Sequence, residues 1–291
     1  MLELSHINKE LLYKVLATPS FSEKELRLQE FLMEYASQKD YECSIDDKGN
    51  IYMAKGKLSD GCFYPCVTAH MDTVQDSQVV FIDKDEHLPL ITESREDGKH
   101  IIYTEGFGFG GDDKAGIVIA LSIMDNTPIC KAVFFVEEEI GCRGSSNCEL
   151  PWFKDAGYIM AFDSPEGNCA SWSCNGERLF DRSFYETHLE VLGEKFGLTK
   201  FVAHPYTDAY ILRMDTCLAC MNFGAGYYLY HTLNEYVVPE EMDNATAMGL
   251  YLIDRLGYKE YVLPFCPRYR LNEEDKDSEW FRNKFKQYMK I

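Results

Sequence analysis

The chain has 291 residues, of which 46% are hydrophobic and 26% are charged, as is usual for a folded globular protein. Its net charge of −19, from 29 Lys and Arg against 48 Asp and Glu, argues against binding nucleic acid or an anionic membrane through a basic surface. Residues 1–30 lack the pattern of a secretory signal, and no stretch has the length of a membrane span. The eleven cysteines have no framework spacing, which predicts reduced thiols and a cytoplasmic location.

The first part of the chain predicts helices that alternate with strands. Apolar residues recur at helical spacing from Leu4 to Val15, and Pro19 ends that helix. Ser22 and Glu25 form a capping box, which predicts that a second amphipathic helix starts there. The further elements expected in chain order are a strand at 51–54, a buried strand at 63–69, a surface hairpin within 79–104, a buried helix at 115–124 and a strand at 132–136.

The alternation of strands and helices continues in the second part of the chain, which indicates an α/β layer domain. The polar stretch at 164–204 predicts no definite element, and the role of the tail at 258–291 stays open. The elements expected are strands at 158–162 and 219–223, a helix from Pro239 to Gly257, and a final amphipathic helix containing Trp280 and Tyr288.

Acidic residues and a histidine directly follow several of the apolar strands. His70 and Asp72 follow one strand, Glu137–Glu139 follow the next, and Asp163 follows a third. In a mainly parallel α/β sheet the carboxyl ends of the strands line the ligand crevice, so these side chains would converge there. They would repel one another unless cations were present. Histidine nitrogen and carboxylate oxygen are ligands that zinc accepts in open catalytic sites, so the pattern favours divalent metal ions.

The glycine-rich stretch at 106–116, GFGFGGDDKAG, has two interpretations. The spacing of its glycines matches the fingerprint that binds a dinucleotide pyrophosphate at a helix N-terminus. However, Asp112 and Asp113 stand where the phosphate would lie, and no early strand–turn–helix unit surrounds the stretch. A sharp turn that presents a carboxylate to a cation is therefore the favoured interpretation.

The order of these motifs along the chain resembles that of the co-catalytic zinc exopeptidases, particularly peptidase T and the glutamyl aminopeptidases. The resemblance runs from about residue 18 to about residue 257, and it implies a three-layer α/β/α fold with a central mixed, mostly parallel sheet. The motifs that carry it are His70–Asp72, Gly111–Gly116, Glu138–Gly144, Asp163 and Tyr230–Thr232.

The resemblance implies a site for two divalent metal ions, with zinc expected and cobalt or manganese as alternatives. His70, Asp112 and Asp163 would hold one ion. Asp112, Glu139 and His231 would hold the other, so that the Asp112 carboxylate bridges the two.

The resemblance also implies roles for two acidic residues outside the set of ligands. Glu138 would be the general base beside the metal ions. Asp72 would orient His70 by accepting its second ring proton. In addition, the peptide bond between Asp112 and Asp113 is expected to be cis, as it is in members of the family.

The chain departs from the family in one interval. His231 follows Asp163 by only 68 positions (231 − 163). Peptidase T and many relatives have a second, "lid" domain there, and this interval is too short for a lid plus the strands that lead to His231. Residues 1–291 are therefore predicted to form a single catalytic domain without a lid. A nearby tyrosine could replace the oxyanion-stabilising donor that lids supply in some members.

Smaller motifs are interpreted more simply. Cys217 and Cys220 have zinc-ribbon spacing but no second pair, so buried thiols in a strand are expected. Thr207–Ala209 resembles a family segment near the substrate. Four other histidines are expected on the surface or in a polar pocket: His87, His100, His188 and His204.

The leading hypothesis is a metal-dependent aminopeptidase that removes the N-terminal residue of short peptides. One alternative keeps the metal ions but makes the enzyme a deacylase or amidohydrolase of N-acyl amino acids. Another is a non-catalytic homologue that keeps the fold. Glu138 argues against the last alternative, since a protein without catalysis has no need of a base beside intact ligands. The oligomeric state stays open.

Overall fold

The computed structural model describes residues 2–74, 87–204, 206–263, 280, 283 and 284. Helices and strands alternate along the chain, as predicted. Among the described residues, no helix combines the length and apolar character that crossing a membrane requires. The helices are α1 (Lys9–Ala17), α2 (Leu26–Gln38), α3 (Gly111–Asn126), α4 (Arg143–Ser146), α5 (Arg182–Phe184), α6 (Val191–Phe196), α7 (Asp208–Thr216) and α8 (Pro239–Leu256).

The strands form two sheets. One sheet has the order β1-β2-β6-β3-β7-β11-β8-β10, with β9 paired to β8, and the other has the order β12-β13-β5-β4. The strands are β1 (Glu42–Ile45), β2 (Ile51–Lys55), β3 (Tyr64–His70), β4 (Ile91–Ser94), β5 (His100–Tyr103), β6 (Cys130–Phe135), β7 (Ala156–Ser164), β8 (Cys169–Cys174), β9 (Glu177–Arg178), β10 (Lys200–His204), β11 (Cys220–Gly224), β12 (Tyr227–Tyr228) and β13 (Tyr236–Val237).

The centre of the larger sheet is parallel. Strands β6, β3, β7 and β11 run in the same direction, and antiparallel neighbours, β2 and β8, flank them. Helices α1 and α8 pack on α3, which covers β3 and β7, while α7 contacts β3, β7 and β11. The predicted α/β/α fold with a central mixed sheet is thus confirmed, and its parallel part places several strand ends at one edge.

The core surrounds the central strands. Strands β6 and β7 are buried along their whole length, as expected for parallel strands covered on both faces. Helix α3 is also buried nearly all round, because its apolar residues occupy every face of the helix. Asp112 and Asp113 near its N-terminus have non-helical backbone angles, so the continuous helical backbone begins at Lys114, one residue before the predicted start at Ala115.

The predicted capping box is wrong. Helix α2 begins after Glu25, and no side chain caps its N-terminus. The Ser22 hydroxyl instead donates a hydrogen bond to Asp72 Oδ2 at 2.7 Å. The Ser22 hydroxyl therefore bonds to the buried carboxylate of Asp72, 50 positions further along the chain, and does not cap the helix as the local pattern predicts.

The first helix also begins later than its apolar spacing predicts. Asn8 is its N-cap, with a side-chain oxygen that accepts from the N–H groups of Glu10 and Leu11. Leu4 therefore lies outside the helix, although it packs against the core.

The hard-to-place stretch at 164–204 contributes β8 and β10 to the larger sheet. Strands β4 and β5 form an antiparallel hairpin in the predicted region 79–104, of which residues 79–86 lie outside the described part of the chain. Most of the predicted C-terminal helix also lies outside it. The absence of a lid from residues 1–291 stays a prediction.

The two cysteines with zinc-ribbon spacing have different surroundings. Cys220 is buried in β11, as expected, whereas Cys217 ends α7 in a left-handed conformation (φ 60°) and is not in a strand. The described cysteines other than Cys217 are free thiols. The cytoplasmic location stays a prediction.

Gly249 marks a close approach between α8 and α3. A Cβ atom at this position would lie 2.5 Å from Ile123 Cδ1 and 3.1 Å from Phe162 Cζ. We expect Gly249→Ala to lower the free energy of unfolding by about 1–3 kcal/mol, because overpacking outweighs the gain in helix propensity. Urea denaturation measures the change.

The matched control is Ile123→Val, which removes the Cδ1 atom that the new methyl group would meet. In the double variant the two losses should be clearly less than additive, since the smaller side chain leaves room for the alanine. Strictly additive losses would show that the two positions do not crowd each other.

Candidate metal centre

The predicted site residues gather at one edge of the central sheet. His70 ends β3, Asp163 lies near the end of β7, and Glu138 and Glu139 follow β6. These three strands are parallel neighbours in the order β6-β3-β7. Their carboxyl ends therefore meet, as the sequence predicts.

Asp112 lies between the two histidines of the site. Its Oδ1 atom is 3.3 Å from His70 Nε2, and its Oδ2 atom is 3.3 Å from His231 Nε2. His70 Nε2 is also 3.6 Å from Asp163 Oδ1, and His231 Nε2 is 2.8 Å from Glu139 Oε1. The potential ligand atoms of each predicted set lie within 4.8 Å of one another.

The side chains at this edge fit divalent cations. Asp112 Oδ1 is buried and has no hydrogen-bond partner among the described residues. Burial raises the pKa of Asp163 to about 7 and also raises the pKa of Glu139, while hydrogen bonds with Asp112 and Glu139 raise the pKa of His231 to about 10. Crowded carboxylates of this kind are stabilised by cations, and the donor set of imidazole and carboxylate is one that zinc accepts.

Asp72 is fully buried and its carboxylate holds the loop after β6. Oδ1 accepts from the N–H of Glu138 at 2.8 Å, and Oδ2 accepts from the N–H of Glu139 at 3.1 Å. The ring nitrogen His70 Nδ1 lies 2.8 Å from the backbone carbonyl oxygen of Asp72 and 3.5 Å from its Oδ1. The nearest acceptor for the imidazole is thus the backbone of Asp72, and the predicted role of its carboxylate in orienting His70 stays a prediction.

Glu138 lies beside both predicted sets of ligands. The Cys142 thiol donates to its Oε1 at 3.3 Å. Burial, together with the carboxylates of Asp163 and Asp208, raises the pKa of Glu138 to about 9, while His70 opposes the shift. Glu138 also lines the cavity described below.

The glycine-rich stretch makes a sharp turn that presents Asp112. The Asp112–Asp113 peptide bond is cis, as the family resemblance implies. Gly110 has a φ of 78°, and a Cβ atom there would lie 2.2 Å from Thr73 Cγ2. Any other residue would be both strained and obstructed at this position. The favoured interpretation of the stretch, a turn that presents a carboxylate, agrees with this geometry.

Two further residues hold the backbone of the site, and the sequence analysis missed both. Asn222 on β11 accepts from the N–H of Asp163 at 2.9 Å and donates to its carbonyl oxygen at 3.1 Å. Glu235 accepts from the N–H groups of Gly110 and Asp112. Asn222 could have been found from the sequence, because it is a polar residue inside the apolar strand at 219–223. Glu235 lies in a polar turn, where a carboxylate gives no such signal.

A cavity of about 520 Å³ opens onto the site. The motif Thr207–Ala209 reaches it through Thr207, while the Asp208 carboxylate is buried and accepts from the Ser145 hydroxyl at 2.5 Å. Of the histidines expected on the surface or in a polar pocket, His204 lines the cavity and His87 is exposed. The residues that line the cavity also include Asp112, Glu138, Glu139, Asp163, Glu166, Lys200, Val202, Tyr206, Tyr227, Tyr230 and His231.

No protein-family model and no curated protein matches the sequence. Solved structures nevertheless share the fold. Aminopeptidase PepT from Bacillus cereus ATCC 10987 is similar with a TM-score of 0.69 and 15% identity, over 87% of this chain and 100% of that chain. A tripeptidase from Staphylococcus aureus has a TM-score of 0.65 and 15% identity, over 87% of this chain and 99% of that one.

A third solved structure extends the similarity to another type of aminopeptidase. The TET aminopeptidase of the marine sediment archaeon Thaumarchaeota archaeon SCGC AB-539-E09 has a TM-score of 0.64 and 12% identity, over 85% of this chain and 96% of that one. The chain thus has the fold of aminopeptidases of the PepT and TET types. The predicted resemblance is confirmed at the level of the fold.

The contacts of Asp72 lead to a prediction about the loop after β6. Asp72→Asn would turn an amide NH₂ group toward a backbone N–H that now donates to a carboxylate oxygen. We expect it to lower the free energy of unfolding by about 1–3 kcal/mol, since a buried donor loses its partner. Hydrogen exchange should become faster at the N–H groups of Glu138 and Glu139.

The control is Ser22→Ala, which removes only the hydroxyl contact with Asp72. It should leave the exchange of both N–H groups slow. Unchanged protection in Asp72→Asn would mean that its carboxylate does not hold this loop.

Proposed function

We propose that the protein is a metal-dependent aminopeptidase that hydrolyses the N-terminal residue from short peptides. The observation that carries this proposal is the Asp112 carboxylate, which lies between the imidazoles of His70 and His231 with the Glu138 carboxyl group nearby. Two aminopeptidases and a tripeptidase that share the fold support the choice of reaction.

The residues for two metal ions fall into two sets that share Asp112. His70, Asp112 and Asp163 would hold one ion, and Asp112, Glu139 and His231 the other. When bound, two divalent ions supply a Lewis acid for the scissile carbonyl group and lower the pKa of a water molecule. Zinc is the ion we expect, with cobalt or manganese as alternatives, because the donors are imidazole and carboxylate.

The chain's own residues move and position the protons. With divalent cations nearby the pKa of Glu138 would fall, so that its ionised carboxylate can take a proton from the attacking water and return it to the leaving amine. The Cys142 thiol hydrogen-bonds to the Glu138 carboxyl group, and Asp72 holds its backbone N–H. Both contacts fix the direction of the base, which matters because a general base acts only within hydrogen-bond reach of the proton that it removes.

The cavity supports a small substrate. Its volume of about 520 Å³ falls within the range of about 300–1,000 Å³ that is typical of small-molecule sites. The carboxyl groups of the candidate metal centre line one part of the cavity. Val202, Tyr227 and Tyr230 provide apolar and aromatic parts of its wall. We infer that a short peptide enters with its N-terminal residue at Asp112, and that a folded chain does not enter.

The direct test adds zinc, cobalt or manganese back to metal-free protein in the presence of aminoacyl and N-acyl reporter substrates. We expect aminoacyl hydrolysis only after metal is added, with up to two ions per chain in elemental analysis. Hydrolysis of the N-acyl reporters alone would show that the enzyme is a deacylase and not an aminopeptidase. A chain that binds none of these ions would contradict the proposal.

Glu138 and Glu139 are adjacent residues of the same type with different proposed roles. Glu138→Gln should leave metal content nearly unchanged and lower kcat by about 10²–10⁴-fold, the contribution of a positioned general base. Glu139→Gln should instead weaken metal binding, because a neutral amide is a poor zinc ligand.

Each variant is the control for the other. Added metal should partly restore Glu139→Gln and should not restore Glu138→Gln. The opposite pattern would mean that Glu138 is the metal ligand and Glu139 the base. Full activity in both variants would rule out the proposed mechanism.

A further inference from the structure

The carboxylate of Glu235 joins two backbone groups of the turn that presents Asp112. It is buried, with only 3% of the residue exposed. Oε2 accepts from the N–H of Gly110 at 2.8 Å, and Oε1 accepts from the N–H of Asp112 at 3.1 Å. A buried carboxylate is costly unless such donors compensate it, so this pair of bonds is a strong local constraint.

Lys114 holds the same turn from another side. Its buried ammonium group donates to the carbonyl oxygen of Phe109 at 2.6 Å. Between them, Glu235 and Lys114 bind backbone groups of three residues in the stretch from Phe109 to Asp112. The turn is therefore fixed through its N–H groups as well as through a carbonyl group.

The segment from His231 to Val237 contributes at several points to one side of the site. His231 belongs to the predicted set of ligands with Asp112 and Glu139. Four residues later Glu235 binds the backbone of Asp112, and two residues after that Val237 packs on the turn. A Cβ atom on Gly111 would lie 2.7 Å from Val237 Cγ1.

We propose that Glu235 is a positioning residue that fixes Asp112 relative to His231 and so sets the affinity of the metal site which these two residues share. The inference rests on the proposed function, because it assigns to Glu235 the task of holding Asp112, a proposed metal ligand, in position. Glu235 touches neither the substrate nor the metal ions and acts through the backbone of Asp112.

Glu235→Gln is the sharpest test of this role. Glutamine keeps the size of the side chain but has only one acceptor oxygen, so its NH₂ group would face one of the two N–H donors. The matched control is Glu240→Gln. The Glu240 carboxylate also accepts from a backbone N–H, that of His100, and it is bonded to the second sheet rather than to the turn.

The measurements use full-length metal-free protein. Zinc affinity is determined by calorimetric titration, the visible absorption spectrum is recorded after cobalt is added, and the melting temperature of the metal-free protein is recorded separately. We expect Glu235→Gln to weaken zinc binding at one site by about 10–100-fold, as is usual when residues behind metal ligands are changed, and to alter the cobalt spectrum. Glu240→Gln should bind zinc as the wild type does.

A merely structural role would lower the melting temperature of Glu235→Gln and leave its zinc affinity and cobalt spectrum unchanged, and that result would overturn the inference. If Glu235→Gln does not fold, Lys114→Met carries the test, since it removes the other contact with the turn and should also weaken zinc binding. Unchanged zinc binding in Lys114→Met would then count against the inference. A wild-type chain that binds neither zinc nor cobalt would instead overturn the proposed function, and with it the role of Glu235.

Discussion

The structure depends on the crowding of carboxylates at one buried edge of the sheet. Asp112, Glu138, Glu139 and Asp163 lie close together, with His70 and His231 among them as possible cations. Leaving such groups charged and away from water is costly without compensation. The surrounding hydrogen bonds and the proposed metal ions are two parts of that compensation, and the backbone contacts of Asp72, Asn222 and Glu235 belong to the first part.

The part of the site that lies on strands could be predicted from the sequence. His70 and Asp163 are polar residues at the ends of apolar strands, and parallel packing brings such ends together whatever the rest of the chain does. Asp112 was recognisable because acidic residues directly follow glycines. His231, in contrast, follows a tyrosine-rich turn, and only the order of motifs in a known family assigned it to the site.

The contacts that hold the ligands could not be predicted in the same way. Ser22 has the local pattern of a helix cap, yet its hydroxyl bonds to Asp72, because a buried carboxylate needs donors more than a helix end exposed to water does. Glu235 binds Asp112 across 123 positions of the chain. Such contacts arise only when the fold brings distant segments together, and neither spacing nor composition encodes them locally.

We propose that two metal ions would share Asp112, and anomalous diffraction from crystals grown with zinc tests this most directly. We expect two anomalous peaks about 3.5–4 Å apart, one beside His70 and Asp163 and the other beside Glu139 and His231, with both next to Asp112. Zinc bound elsewhere, or a single ion that does not contact Asp112, would contradict it.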